Sequence, residues 1–241
     1  MFVQKIPFLI SMSRKVRFTT MEVLENRKVS TMEKCFDNIV NMYKNRGFKI
    51  STLLMDMEFE PLRSYMVRQG INLNIAAAAE HVPDIERQIR VIKERVRALW
   101  HKLPYNKKPK ALIIALVQHV IQWLNNFPPK GGISKIYSPR TIMTGQKFDY
   151  NKHCRVEIGA YVQVHEETTP KNSMKPRTIG AIALGSTGNI QGSYRFLNLN
   201  TNKVITRRKF TEVPIPDYVI KRVEEIAEQE QQPECLYFII E

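Results

Sequence analysis

The chain has 241 residues, 37 of them Lys or Arg and 23 Asp or Glu, and carries a formal charge of +14. With 43% apolar and 25% charged residues it can bury a core, which excludes collagen-like, low-complexity and wholly disordered chains. The excess positive charge points to a polyanionic partner, nucleic acid first and a membrane surface second, because clustered Lys and Arg gain affinity from counterion release.

The opening Met1-Phe2-Val3-Gln4 reads as a short strand, without the basic start or small-residue cleavage site of a signal peptide. Two β-rich runs, Ile6–Met12 and Val16–Thr20, flank the basic break Ser13-Arg14-Lys15 and predict a hairpin. Ser30 as N-cap and Glu33 three residues on predict a helix, with Met32, Phe36, Ile39, Val40 and Tyr43 at helical spacing and Gly47 as its stop. Phe48–Met55 follows as a strand, then a short helix from Pro61 to Gly70, a strand over Asn72–Ala78 and a long helix over Pro83–Trp100. This alternation predicts an α/β fold, a mixed sheet packed by helices.

After the Pro- and Lys-rich linker Lys102–Lys110 comes an apolar helix to Phe127. Gln118, His119 and Gln122 interrupt its apolar run, so it is expected to be buried in protein rather than to span a membrane. Pro128-Pro129-Lys130-Gly131-Gly132 breaks the chain, and Ser138-Pro139 opens a short helix ended by Gly145. Four β runs, Ala160–His165, Thr178–Leu184, Ser193–Leu199 and Lys203–Arg207, predict a small antiparallel β-barrel-like domain. An acidic helix and tail close the chain. The expected domains are residues 1–127, a linker with a short helix over 128–155, a β domain over 156–215, and the acidic end over 216–241.

Two sets of side chains stand out as site candidates. Asp56 ends the apolar run Leu53-Leu54-Met55, at the carboxyl end of a strand where α/β sheets place ligands. Glu86, Arg90, Lys93 and Arg97 form a stripe on the long helix, beside the apolar stripe Ile85, Ile89, Ile92, Val96 and Leu99. One carboxylate followed by three cations suits a metal ligand at the start of a track for phosphates, whereas the simpler alternative is a solvated face with Glu86 pairing Arg90. Lys107 and Lys108 in the linker and Arg207, Arg208 and Lys209 near the carboxyl end are further candidate nucleic-acid contacts. The cysteines Cys35, Cys154 and Cys235 form no CxxC pair, so no zinc knuckle or disulfide framework is expected.

Several segments occur in a collinear order: Met55-Asp56-Met57-Glu58-Phe59, His81-Val82-Pro83-Asp84-Ile85-Glu86-Arg87, Tyr137-Ser138-Pro139-Arg140-Thr141-Ile142-Met143-Thr144-Gly145, Gly159-Ala160-Tyr161-Val162 and Tyr194-Arg195-Phe196-Leu197-Asn198-Leu199. Together they resemble the integrase region of copia-type retrotransposon polyproteins over most of residues 1–213. The resemblance implies a ribonuclease-H-like core that joins element DNA to target DNA at an Asp-Asp-Glu site holding Mg²⁺ or Mn²⁺. Asp56 matches the second acid and Glu86 the Glu of the long helix, with Glu80 as a rival. Double-stranded DNA is the implied partner, homo-oligomers are allowed, no membrane is involved, and the implied location is the nucleus or a cytoplasmic element particle rather than secretion.

The departures are specific. No Asp precedes Asp37, so the first metal-binding acid is missing and the chain resembles an amino-terminally truncated copy. The zinc-binding segment that precedes the family's core is absent, and Met57-Glu58 replaces an Asn-Gly-rich turn. The expectation is an integrase core fragment that binds metal poorly and does not transfer strands by itself. Its alternative is a non-catalytic DNA-binding remnant of a mobile element.

Overall fold

The computed structural model describes residues 1–76, 82–166, 174 and 176–238. The chain forms two compact units: Met1–Glu94 with Ile121–Lys147 and Phe238–Glu241, and Arg95–Val120 with Phe148–Tyr237.

In the first unit, β1 (Phe2–Val3), β2 (Ile6–Met12) and β3 (Thr19–Val23) form an antiparallel meander in that order. The turn at Gln4 and Lys5 has positive φ at both residues, 50° and 63°, as a tight two-residue hairpin requires. The second turn is longer than the sequence pattern suggests. The Arg17 N–H donates to Ser13 O at 2.9 Å and the Phe18 N–H to Ser13 Oγ at 3.1 Å. These bonds keep residues 16–18 out of the ladder, so β3 starts at Thr19 instead of Val16, and Val16 is buried in the core.

Helix α1 (Val29–Lys44) buries the stripe foreseen for it, Met32, Phe36, Ile39, Val40 and Tyr43, together with Cys35. Its cap differs from the expected Ser30–Glu33 box. Lys28 is the N-cap, and Asn26 Oδ1 accepts from the Lys28 N–H at 3.0 Å and from Thr31 Oγ1 at 2.8 Å, while Glu33 pairs with Arg68 at 3.3 Å. Then come β4 (Thr52–Met55), a 3₁₀ turn (Met57–Leu62), α2 (Arg63–Arg68) and β5 (Asn72–Ile75), with β5 parallel to β4. One apolar cluster takes Leu9, α1, Leu62, Tyr65, Met66 and Leu73, with Leu53, Met55 and Ile75 packed against it. Each fully buried side chain of this kind stabilises the fold by about 1.5–3 kcal/mol.

An antiparallel meander, a helix, a parallel strand pair and a long helix follow one another, as the expected α/β class requires. The expected single mixed sheet is nevertheless in two parts, because no ladder among the described residues joins β1 to β4. With two residues, β1 covers only the start of β2. The Phe8 N–H and C=O both turn to Met1, at 2.8 and 3.0 Å, so by strand alternation Ile10 and Met12 direct theirs to the same side, beyond the end of β1.

Helices α3 (Pro83–Lys102) and α4 (Lys110–Asn126) contribute residues to both units. The first unit also holds α5 (Pro139–Thr144), capped by Ser138 Oγ, which accepts from the Thr141 N–H at 3.2 Å, and stopped by Gly145. Trp123 on α4 stacks on Phe127 with ring centroids 5.8 Å apart.

The second unit contains α6 (Tyr150–His153), β6 (Tyr161–His165), β7 (Thr178–Ser186), β8 (Tyr194–Asn198), β9 (Val204–Arg207), β10 (Phe210–Glu212) and α7 (Asp217–Gln229). The five strands form an antiparallel sheet in the order β10-β6-β7-β8-β9. It is open: among the described residues no pairing closes β9 on β10, so the barrel-like expectation reduces to a sheet. Its core holds Val162, Val164, Ala181, Ala183, Tyr194 and Phe196. No helix among the described residues is long and apolar enough to cross a membrane.

Candidate nucleic-acid interface

Asp56 is exposed immediately after β4 and serves as N-cap of the 3₁₀ turn through its backbone, its carbonyl accepting from the Phe59 N–H at 3.0 Å. Glu86 is exposed in the first turn of α3. The neighbouring Asp84 fixes this end of the helix by pairing with Arg17 at 3.2 Å and Arg14 at 3.7 Å. Gln88 Nε2 donates to Thr19 Oγ1 at 3.0 Å, and Asn125 brackets Thr19 by accepting its N–H and donating to its carbonyl. Glu80 and His81 lie outside the described residues.

A metal pair for phosphodiester chemistry needs several carboxylates converging on one point. Among the described residues, no group of three or more His, Cys, Asp or Glu side chains could hold a metal ion. Asp56 and Glu86 are thus not joined by a third such ligand among the described residues.

The expected cationic track divides by environment. Arg90 and Arg97 are exposed on α3. Lys93 is half-buried, with its ammonium 5.7 Å from the centre of the Phe238 ring, and burial holds it below the usual lysine range.

Two of the predicted contacts, Lys107 and Lys108, are engaged within the protein. Lys108 is 2% exposed, sits 4.1 Å from the centre of the Trp100 ring, donates to Tyr105 O, and is lowered by burial to about 8. Such a lysine is a core residue and cannot reach a phosphate. Lys107 pairs with Glu228 at 2.8 Å and Glu234 at 3.5 Å, and the Glu228 hydrogen bond raises its affinity for the proton.

The carboxyl-terminal basic cluster has a different setting. Arg155, His165, Arg208, Lys209 and Phe210 line an open groove of about 530 Å³ at the β10 edge of the sheet, and none of these lining residues is acidic. Phe210 forms its apolar floor, packed against Tyr194 and Phe196 with ring centroids 5.1 Å from each. Arg155 lies over this floor, its guanidinium carbon 4.4 Å from the ring centre. Its backbone N–H donates to Tyr194 Oη at 2.8 Å and its guanidinium to Arg208 O at 3.2 Å. The arginine is thus held in place while further N–H donors of its fork remain available for an anion. The His165 N–H donates to Lys209 O at 3.2 Å, which fixes the strand edge carrying the lysine.

Arg208 and Lys209 are therefore brought together as the sequence suggests, whereas Arg207 is not part of the groove. It is half-buried on β9 and donates to Thr206 O at 2.8 Å. Sequence reading missed Arg155 and His165. The available signal was Phe210 beside two cations, but β10 has three residues and no strand pattern to announce it.

No known protein family and no curated protein sequence matches this chain. Among solved structures it is similar to the catalytic core domain of BIV integrase, with 15% identity and a TM-score of 0.43, over 58% of this chain and 87% of that one.

Proposed function

We propose that this chain is a non-catalytic DNA-binding protein derived from the integrase region of a copia-type retrotransposon, and that it binds duplex DNA with little sequence preference. The observation that carries this reading is the acid-free groove of Arg155, His165, Arg208 and Lys209, on a chain of net charge +14. Arginine forks and lysine ammoniums suit phosphate oxygens. That no group of three or more His, Cys, Asp or Glu among the described residues could hold a metal supports this alternative over strand transfer.

Two experiments test the proposal. The affinity of the purified chain for a mixed-sequence duplex should fall steeply with salt and differ little between sequences. A strand-transfer assay in Mg²⁺ or Mn²⁺ should give no product. Strand transfer, or binding indifferent to salt, overturns the reading.

A further inference from the structure

The segment Asn106–Lys110 leads into α4 and holds Lys107, Lys108 and Lys110. Its outward donors each meet a carboxylate from the carboxyl-terminal part of the chain. The Asn106 N–H donates to Glu224 Oε1 at 2.7 Å, and the Lys110 N–H donates to Glu230 Oε2 at 2.6 Å. Lys107 Nζ binds Glu228 at 2.8 Å and Glu234 at 3.5 Å. Two backbone amides and an ammonium aimed at separate anionic oxygens are the donor set that a phosphodiester backbone uses.

Different side chains carry the docking and the charge of α7. Val219, Val223, Ile226 and Ala227 are buried, and the Arg222 guanidinium donates to Leu199 O at 3.0 Å, so the helix is held without its glutamates. Glu228, Glu230 and Glu234 are exposed, and exposed ion pairs open readily by side-chain rotation. In the other unit, the same terminal segment covers a second lysine, Lys93, with the Phe238 ring.

We propose that Asn106–Lys110 is a second phosphate-backbone site, and that Glu224, Glu228 and Glu230 occupy it as an intramolecular competitor that weakens DNA binding. The proposal rests on the reading that DNA is the partner. Duplex DNA that displaces the glutamates gains Lys107 and the two amides, so binding at low salt engages more phosphates than the groove alone provides.

The test is a fluorescence anisotropy titration of a labelled mixed-sequence duplex with the full chain. E224Q/E228Q/E230Q should bind about tenfold tighter, with a salt slope steeper by about one phosphate. A control of equal charge change at exposed acids outside α7, E25Q/E58Q/E94Q, should gain clearly less. Adding K107Q to the first triple should cancel most of its gain, and the gain should persist on an R155E/R208E background. Equal gains in the two triples, or a gain that survives K107Q, overturns the competitor. No effect of R155E/R208E, with the competitor effect intact, would instead remove the groove that carries the proposed function. If the triple variant fails to fold, Glu230→Gln alone decides, since Glu230 follows the last residue of α7: absence of any gain overturns the proposal.

Discussion

Two basic segments of this chain look alike on paper and differ in the folded protein. Lys107-Lys108-Pro109-Lys110 and Arg207-Arg208-Lys209 are both dense cationic runs. In the first, Lys108 is buried against Trp100, and Lys107 and two backbone amides are held by glutamates. In the second, Arg208 and Lys209 line a groove with Arg155 and no acid. The difference teaches that charge density in a sequence measures how many cations exist, whereas binding depends on which of them stay accessible and have not already found an internal anion.

The largest expected effect breaks the comparison directly. R155E/R208E should weaken duplex binding by roughly 100-fold at low salt and flatten the salt slope by about two phosphates, read by anisotropy across a salt series. An unchanged slope would remove the groove from the interface.

Next in size are the consequences of treating Lys108 as core. Lys108→Ala removes a buried stem and its contact with Trp100, so it should lower stability by about 2 kcal/mol in denaturant titration. DNA affinity per folded molecule should stay the same, and a loss of affinity without a loss of stability would restore Lys108 as a contact.

A pH series gives an effect of similar or smaller size on the helix that begins at the same linker. His119 on α4 is lowered by burial from 6.5 to about 4. The unfolded chain therefore takes up a proton first, so stability is intact above about pH 6.5 and declines as pH falls towards 4, by about 2 kcal/mol. His119→Gln should flatten this decline in urea titrations taken across that window, and an unchanged decline would place its cause elsewhere. The smallest effect is that of Lys107→Gln in the otherwise natural chain. With its ammonium already paired, duplex affinity should change by less than about twofold, as exposed pairs contribute little.

Much of the fold was legible because it follows from periodicity. The stripe of α1, the run of β2 and the start of α5 at Ser138-Pro139 all follow from local spacing, and each depends on residues within a few positions of one another. The failures share a different cause. The Ser30–Glu33 box lost to Asn26 and Arg68, and the start of β3 was displaced by bonds to Ser13. Both are choices among near-equal hydrogen bonds, which neighbouring chain decides. Of the interface, Arg208 and Lys209 are legible as a basic run, while Arg155 and His165 reach it from 53 and 44 positions away through the sheet edge and cannot be read from spacing.

By itself the sequence determined the charge, the amphipathic faces and hence the α/β class, since burial of an apolar stripe depends on composition and period. Tertiary structure alone decided how the cations are used. The sign of a side chain is a covalent property, but its availability is set by desolvation and by the partner that folding brings within about 3 Å.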